Sequence, residues 1–451
     1  MTNHKDAYHL GALPITIENA ISHNFYAAHW SSILRKCGTS QIKSDPRGFL
    51  AALPITQKSN LQIDLVPKLS AGDVIASTIH TTGSTGPVTY RYRSRSELKA
   101  IDSFFTAAKR EIPLEKRPHA LMFYGPYHGV DFGSGGMWGS RVAPNYFSGA
   151  IWDDIFIRQS VDLLRKEFNL PGMAARVGTV TGAVRLLRIF TQCLIDQGIE
   201  ASDFAVRGVS TFAGFSSTEV RKFLHNYWRV HPIEVFSISE IMGGARKCPE
   251  CAALSFDPQI YPEVVTLDDE RPVDKGIGRL LLTELHPFGS TQPLVRYYNG
   301  DLVSRRHVLC QSCGDGVKTV HIGRDNESIV HKPGGGNVLV FGSSDMREVA
   351  YCQFVERTVE FPHLKLLRDR TTHLGAPYFS VTKSVDTNRN RVRIEVRFRP
   401  RSSLSCGVNR AAAAVHERVL ETSADLREAI AAGFVDLSVV PDPEHNRILW
   451  K

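Results

Sequence analysis

No run in this 451-residue chain approaches the roughly eighteen consecutive apolar residues that span a bilayer. Its first residues, MTNHKDAYHLGALP, lack the long apolar core of a secretory signal. The expectation is a cytoplasmic protein with no membrane partner. Internal repeats and long low-complexity linkers are also absent, so nothing reads as a solenoid or an extended tail. What remains is ordinary globular material, 42% hydrophobic and 22% charged, long enough for two or more domains with buried cores.

Charge of one sign is scarce too, for a net +8 is modest over this length. Part of it gathers in RNRVRIEVRFRPR, where Arg389, Arg391, Arg393, Arg397, Arg399 and Arg401 are interleaved with Val, Ile and Phe. A period of two marks a strand with one basic face. Such a face could hold RNA or a phosphorylated substrate tail. A solvated strand face is the plainer reading, because nucleic-acid binders spread their basic residues over a wider patch. Nucleic acid is not an expected partner.

Of the eight cysteines, Cys37, Cys193, Cys352 and Cys406 stand singly and read as inert thiols. The others form Cys248-Pro-Glu-Cys251 and Cys310-Gln-Ser-Cys313, the spacing of a four-cysteine structural zinc site. The 58 residues between the pairs exceed a compact ribbon, so the site would join distant parts of one domain. Four thiolates leave no open position for catalysis. Disulfides are the alternative in an oxidising compartment, and a redox pair is another.

Hydroxyls and glycines are concentrated in Thr81-Thr82-Gly83-Ser84-Thr85-Gly86, after the apolar Val74-Ile75-Ala76. Glycines let successive N–H groups turn toward one centre and hydroxyls add donors, which suits a polyphosphate. The Gly-Lys-Ser/Thr ending of common nucleotide-binding loops is missing, and a flexible surface turn is the alternative.

Hydrophobic periodicity organises the rest. Helices are expected at 97–111, 152–170, 183–198 and 217–230, and strands at 119–125, 173–180, 206–214 and 233–238. This alternation implies a mostly parallel α/β sheet. Beyond about residue 255 the segments 278–287 and 293–305 read as neighbouring antiparallel strands, and 411–433 as helical.

Four further segments carry chemistry. Phe236-Ser237-Ile238-Ser239-Glu240 offers an aromatic ring and a carboxylate at a strand end. Asp301 follows Arg296-Tyr297-Tyr298-Asn299-Gly300, and Arg324 sits in GRDN. The segment YGPYHGVDFGSGGMWG (124–139) could wall an apolar pocket with Tyr124, Tyr127, His128 and Phe132.

In order and spacing these segments resemble the adenylate-forming superfamily, and within it phenylacetate–CoA ligase. Thr81 to Pro87 stands for the family's phosphate loop, FSISE for YGLSE, RYYNGDL for RYRTRDL and HIGRDNE for its G-R-S-D-D. The resemblance implies a large N-terminal α/β domain with mixed sheets (1–323) and a small mobile α+β C-terminal domain (324–451). It implies ATP on Thr81 to Gly86, with Phe236 and Ser239 beside adenine, Asp301 on the ribose and Arg324 on the nucleotide side. Glu240 would hold magnesium and act in catalysis, and Gly214 would line the acid pocket. The reaction implied is adenylation of a carboxylic acid, then transfer to a thiol such as coenzyme A. A carrier protein or an amine is the alternative acceptor, a non-catalytic binding protein the alternative class, and a homodimer is left open. The chain departs from the pattern in four places, the first being Phe212-Ala213-Gly214-Phe215 where relatives have Gly-Ala-Glu-Pro. Pro87 replaces the loop lysine, Asn326 the hinge acid, and the C-terminal Gly-Lys segment is missing, leaving Lys451 as the terminal lysine.

Overall fold

A computed structural model describes residues 2–80, 88–110, 119–123, 145–149, 151, 154–169, 174–212, 214–331, 339–357, 377–386, 391–403 and 407–447. The strand–helix alternation builds a seven-stranded sheet. Five strands are parallel, in the order Ile233–Phe236, Gly208–Phe212, Val177–Ala183, His119–Phe123 and Asn145–Gly149. A hairpin of Ala245–Lys247 and Leu254–Phe256 adds two antiparallel strands at one edge. The helix Val184–Asp196 buries Leu187, Phe190 and Leu194 at helical spacing, and Gly198 beyond it takes φ 65°. The helix Thr218–Trp228 begins at Ser217, whose hydroxyl accepts from Val220 N at 3.3 Å. The strands ending at Phe212 and Phe236 finish on one edge of the sheet, the edge at which open α/β sheets take their ligands.

Beyond residue 255 the pairing is antiparallel. Gly276–Glu284 pairs with Ile260–Val265, with Tyr297–Tyr298 and with Asp301–Val308. The segment expected as one strand over 293–305 is interrupted. A step of three residues, Leu282 to Arg279, faces a step of five, Tyr297 to Leu302, so Asn299 and Gly300 bulge out. Gly300 has φ 99°, a conformation that costs other residues dearly. Asp301–Val308 then turns back as Gly316–Arg324, and the second cysteine pair lies in that turn.

Residues 2–63 form six helices and one short strand, which the sequence reading left unassigned. They pack Tyr26, Trp30, Phe49 and Leu50 against Leu282, Leu294 and Val303 of the antiparallel sheet. Thr56–Gln57 pairs in parallel with Tyr297–Tyr298. No helix among the described residues is long and apolar enough to cross a membrane.

Past residue 340 a further core forms around Phe341, Phe379, Ile394, Phe398, Val415 and Leu426. Its sheet holds Phe379–Asp386, Arg391–Phe398 and Val435–Pro441, and the helical region expected at 411–433 is two helices meeting at Ser423. The arginine-rich strand turns Val392, Ile394, Val396 and Phe398 inward. Outward, Arg391 meets Asp436 at 3.5 Å and Arg397 meets Glu395 at 2.9 Å and Asp442 at 3.4 Å. Two of its arginines, Arg391 and Arg397, are thus paired with acids, and Arg399 stacks on Tyr378.

The antiparallel pair Ile75–His80 and Tyr90–Ser94 flanks the threonine-rich loop. Alternation places Arg91 and Arg93 on one face of the second strand, and both are fully buried. They converge on Glu284: Arg91 Nη2 at 2.5 Å from Oε2 and Arg93 Nη2 at 2.7 Å from Oε1. Met242 N donates to the same carboxylate at 2.8 Å, and Arg91 Nε donates to the Glu240 carbonyl at 2.9 Å. The following helix, Arg95–Arg110, starts with a reciprocal cap in which Ser94 N donates to Glu97 and Glu97 N to Ser94 Oγ, at 2.7 and 3.3 Å.

Burial pushes the Glu284 carboxyl up, but the guanidiniums of Arg93 and Arg91 outweigh it and hold it below the ordinary value. A depressed folded pKa stabilises above the unfolded value, near 4.5, and its contribution disappears as the pH falls through the folded value. Glu284→Gln, which leaves two buried cations without their anion, should cost about 3–5 kcal/mol in denaturant titrations at pH 7. The gap between wild type and variant should narrow below that unfolded value; a variant as stable as wild type at pH 7 would refute this role.

Candidate functional site

Phe236 ends the outer parallel strand, and Glu240 lies in the turn that follows. The Phe236 ring stands 5.2 Å from the His321 ring at 47°, and 6.3 Å from Phe256 edge-on. His321 Nε2 lies 2.9 Å from Asp301 Oδ1, and Arg324 Nε lies 3.8 Å from that same oxygen. Asp301 and Arg324 are paired across the hairpin. Residues three apart on a regular strand face opposite ways. Here Leu302 pairs with Gly323 and Val303 with His321, so Ile322 bulges and both His321 and Arg324 reach Asp301.

Burial raises the Asp301 carboxyl, but the His321 hydrogen bond and charge, with Arg324 behind them, bring it below the ordinary value. Its second oxygen, Oδ2, is buried and makes no hydrogen bond of good geometry among the described residues, although the Asn299 side chain lies close enough to favour the charged carboxylate. The Glu240 carboxylate is buried as well and accepts from Tyr297 Oη at 3.0 Å. Burial first, and then the charge of Glu240, lifts the Tyr297 phenol well above its usual value. Arg324 N donates to Ser343 Oγ at 3.1 Å, and a side chain at Gly323, where φ is 130°, would collide with that serine. Just past Arg324, Asp325 is tied to the bulge: its N–H donates to Gly300 O at 2.9 Å and its carboxylate accepts from Tyr298 Oη at 2.5 Å.

Phe236, Asp301 and Arg324 are thus brought together around His321, and Glu240, in the turn after Phe236, is joined to the antiparallel sheet through Tyr297. Ser239 lies half-buried in the turn before Glu240. Gly214 is an exposed bend with φ 148°, past the strand Gly208–Phe212 on the same sheet edge. Thr81 to Gly86, Tyr124, Tyr127, His128, Phe132 and Lys451 lie outside the described residues. His321, Tyr297 and Arg91 were not singled out by sequence, although Tyr297 and His321 sit inside the two motifs RYYNGDL and HIGRDNE.

Cys248, Cys251, Cys310 and Cys313 also converge, with all four sulfurs within 4.8 Å of one another. Cys248 and Cys310 are 3.6 Å apart and Cys251 and Cys313 3.5 Å, far beyond a disulfide bond and close to the ~3.8 Å edge of a tetrahedral tetrathiolate. Burial raises the Cys248 thiol, but the backbone donors of Cys251 and Glu250 bring it down to about 7. The cluster can hold a metal ion favouring sulfur.

No protein-family model and no curated protein sequence matches the chain. Solved structures do. A 2-hydroxyisobutyryl-CoA ligase, in the postadenylation state with 2-HIB-AMP, matches with TM-score 0.63 and 16% identity over 100% of this chain and 89% of its own. The same ligase, open and in complex with 2-HIB-AMP and CoA, matches with TM-score 0.63 and 17% identity over 98% and 89%. ATP-bound MatB from Rhodopseudomonas palustris matches with TM-score 0.50 and 13% identity over 83% of this chain and 65% of its own. The chain therefore has the fold of the adenylate-forming superfamily. Among these matches the acyl-CoA ligase is the structure that spans essentially the whole chain.

Removing the phenol that satisfies a buried carboxylate should be felt in stability. Tyr297→Phe should cost about 1–3 kcal/mol in a denaturant titration. A loss below a few tenths would mean that Glu240 finds another donor.

Proposed function

We propose that this chain uses ATP and magnesium to convert a carboxylic acid into an acyl-adenylate and then transfers the acyl group to a thiol such as coenzyme A. The observation that carries the reading is the buried Asp301 carboxylate, whose Oδ2 makes no hydrogen bond of good geometry among the described residues, with only the Asn299 amide close enough to favour its charge. An acceptor left unpaired costs about 1–3 kcal/mol, and a ribose hydroxyl is a donor that would offset it. Phe236 supplies a face for adenine, and Arg324 a fixed positive charge beside the same carboxylate. Glu240 presents hard oxygen ligands of the kind magnesium prefers, and its described side-chain partner is the neutral Tyr297.

The finer reading is a phenylacetate–CoA ligase-like enzyme acting on an aromatic or apolar acid, supported by the Tyr124–Phe132 composition and by Gly214, which lies past a strand end of the same sheet. Residues 324–451 would be the mobile domain, and Thr81 to Gly86 would cradle the phosphates. Lys451 is the candidate for the lysine of the family pattern. Zinc suits the four thiolates, where it would be structural, with no open position.

A second reading, a nucleotide- or acyl-binding protein without turnover, is favoured by Pro87 in place of the loop lysine. Exchange of labelled pyrophosphate into ATP, driven by a panel of aryl, aliphatic and amino acids, separates the two. One acid class should support exchange, and Glu240→Gln should lower it by ~100-fold or more. ATP binding without exchange for any acid selects the second reading. Elemental analysis should find about one zinc per chain, lost in Cys248→Ser/Cys310→Ser; a metal-free native preparation would remove zinc from the reading.

A further inference from the structure

We infer that the four-cysteine cluster is a clasp that sets the spacing between the two halves of the nucleotide site, so that metal held there governs nucleotide affinity. The inference rests on the reading of Phe236, Asp301 and Arg324 as nucleotide contacts.

Each cysteine pair sits at the end of a hairpin that begins at the site. Ala245 is in register with Phe236, and three residues later the same strand reaches Cys248. On the other sheet the strand starting at Asp301 runs toward Cys310, and its partner returns from Cys313 to His321 and Arg324. Between the hairpins, Ala253 bridges Val320, the residue next to His321. Glu250 reaches across to Ser312, accepting from its N–H at 3.2 Å and from its hydroxyl, and from Cys310 Sγ at 3.2 Å.

A second observation shows why this connection matters. None of residues 304–319 is buried, so the outer half of the Asp301–Arg324 hairpin has no apolar core beneath it. A segment so poorly packed opens easily unless something else fixes it. The sulfur cluster and Glu250 are the described contacts at its tip. Without the clasp, the outer half of the hairpin would be tied to the parallel-sheet side only through the Ala253–Val320 bridge among the described pairings, and its movement would pull His321 away from Phe236 and loosen the pairing that holds Asp301.

The test uses the full chain, zinc-loaded and after chelation, with hydrogen exchange, AMP binding by calorimetry and thermal unfolding read together. Metal removal should raise exchange in 236–256 and 300–324 while leaving 184–196 and 391–441 protected. AMP affinity should drop on the order of 10–100-fold, the loss expected when a hydrogen bond to a charged group such as Asp301 is broken, and added zinc should restore both. Cys310→Ser should mimic chelation. Cys310→His, which keeps a zinc ligand, should retain metal and affinity. Unchanged exchange at 300–324 in the metal-free protein would overturn the inference, as would exchange rising equally throughout the chain, which marks a merely global role. Zinc-loaded protein that binds no AMP or ATP would instead overturn the nucleotide reading, and the exchange pattern alone would then show whether the cluster holds Phe236 against His321.

Discussion

Two buried guanidiniums on one buried carboxylate are the constraint on which the rest of the molecule depends. Arg91 and Arg93 hold the strand after the threonine-rich loop against Glu284, the last residue of a central antiparallel strand. Through Met242 N and the Glu240 carbonyl, the same groups fix the turn that carries Glu240. One carboxylate therefore joins three segments that are far apart in sequence. Hydrophobic residues of equal size could hold them as firmly, since desolvating ions is costly. What they could not do is demand one register, for a slip by one residue would turn both arginines away from Glu284.

The second organising feature is that the site is assembled from two sheets of different character. The parallel sheet contributes strand ends, where Phe236 and the Glu240 turn emerge. The antiparallel sheet contributes its bulges, at Asn299–Gly300 and at Ile322, which re-aim Asp301, His321 and Arg324. An uninterrupted ladder would send alternate side chains to opposite faces and scatter these three. Irregularity in the ladder is what gathers them.

That division explains what could be read from the sequence. Periods of 3.6 and two give the helices and strands of residues 177–236 directly, because those segments bury one face each. Motif order points to Phe236, Glu240, Asp301 and Arg324, and cysteine spacing to the four-sulfur cluster. Bulges are properties of pairing between strands, so the role of His321 was invisible in HIGRDNE. The helices of residues 2–63 were left unassigned, for the first of them contains Pro14 and the next four are only five to seven residues long. The arginine-rich strand shows the limit of counting charge: Arg391 and Arg397 are paired with Asp436, Glu395 and Asp442, of which only Glu395 lies within the motif.

The docking of the N-terminal helices has a consequence for how the chain is made. Tyr26 donates to the carbonyl of Pro293 and Thr56 to that of Val295, partners 267 and 239 residues downstream. At translation rates of 5–20 residues per second, those partners leave the ribosome roughly 10–50 s after the helices do. For that interval Tyr26, Trp30, Phe49 and Leu50 have no sheet to cover. Contacts so distant in sequence also slow folding once synthesis is complete. The nascent chain thus presents an apolar surface early and buries it late.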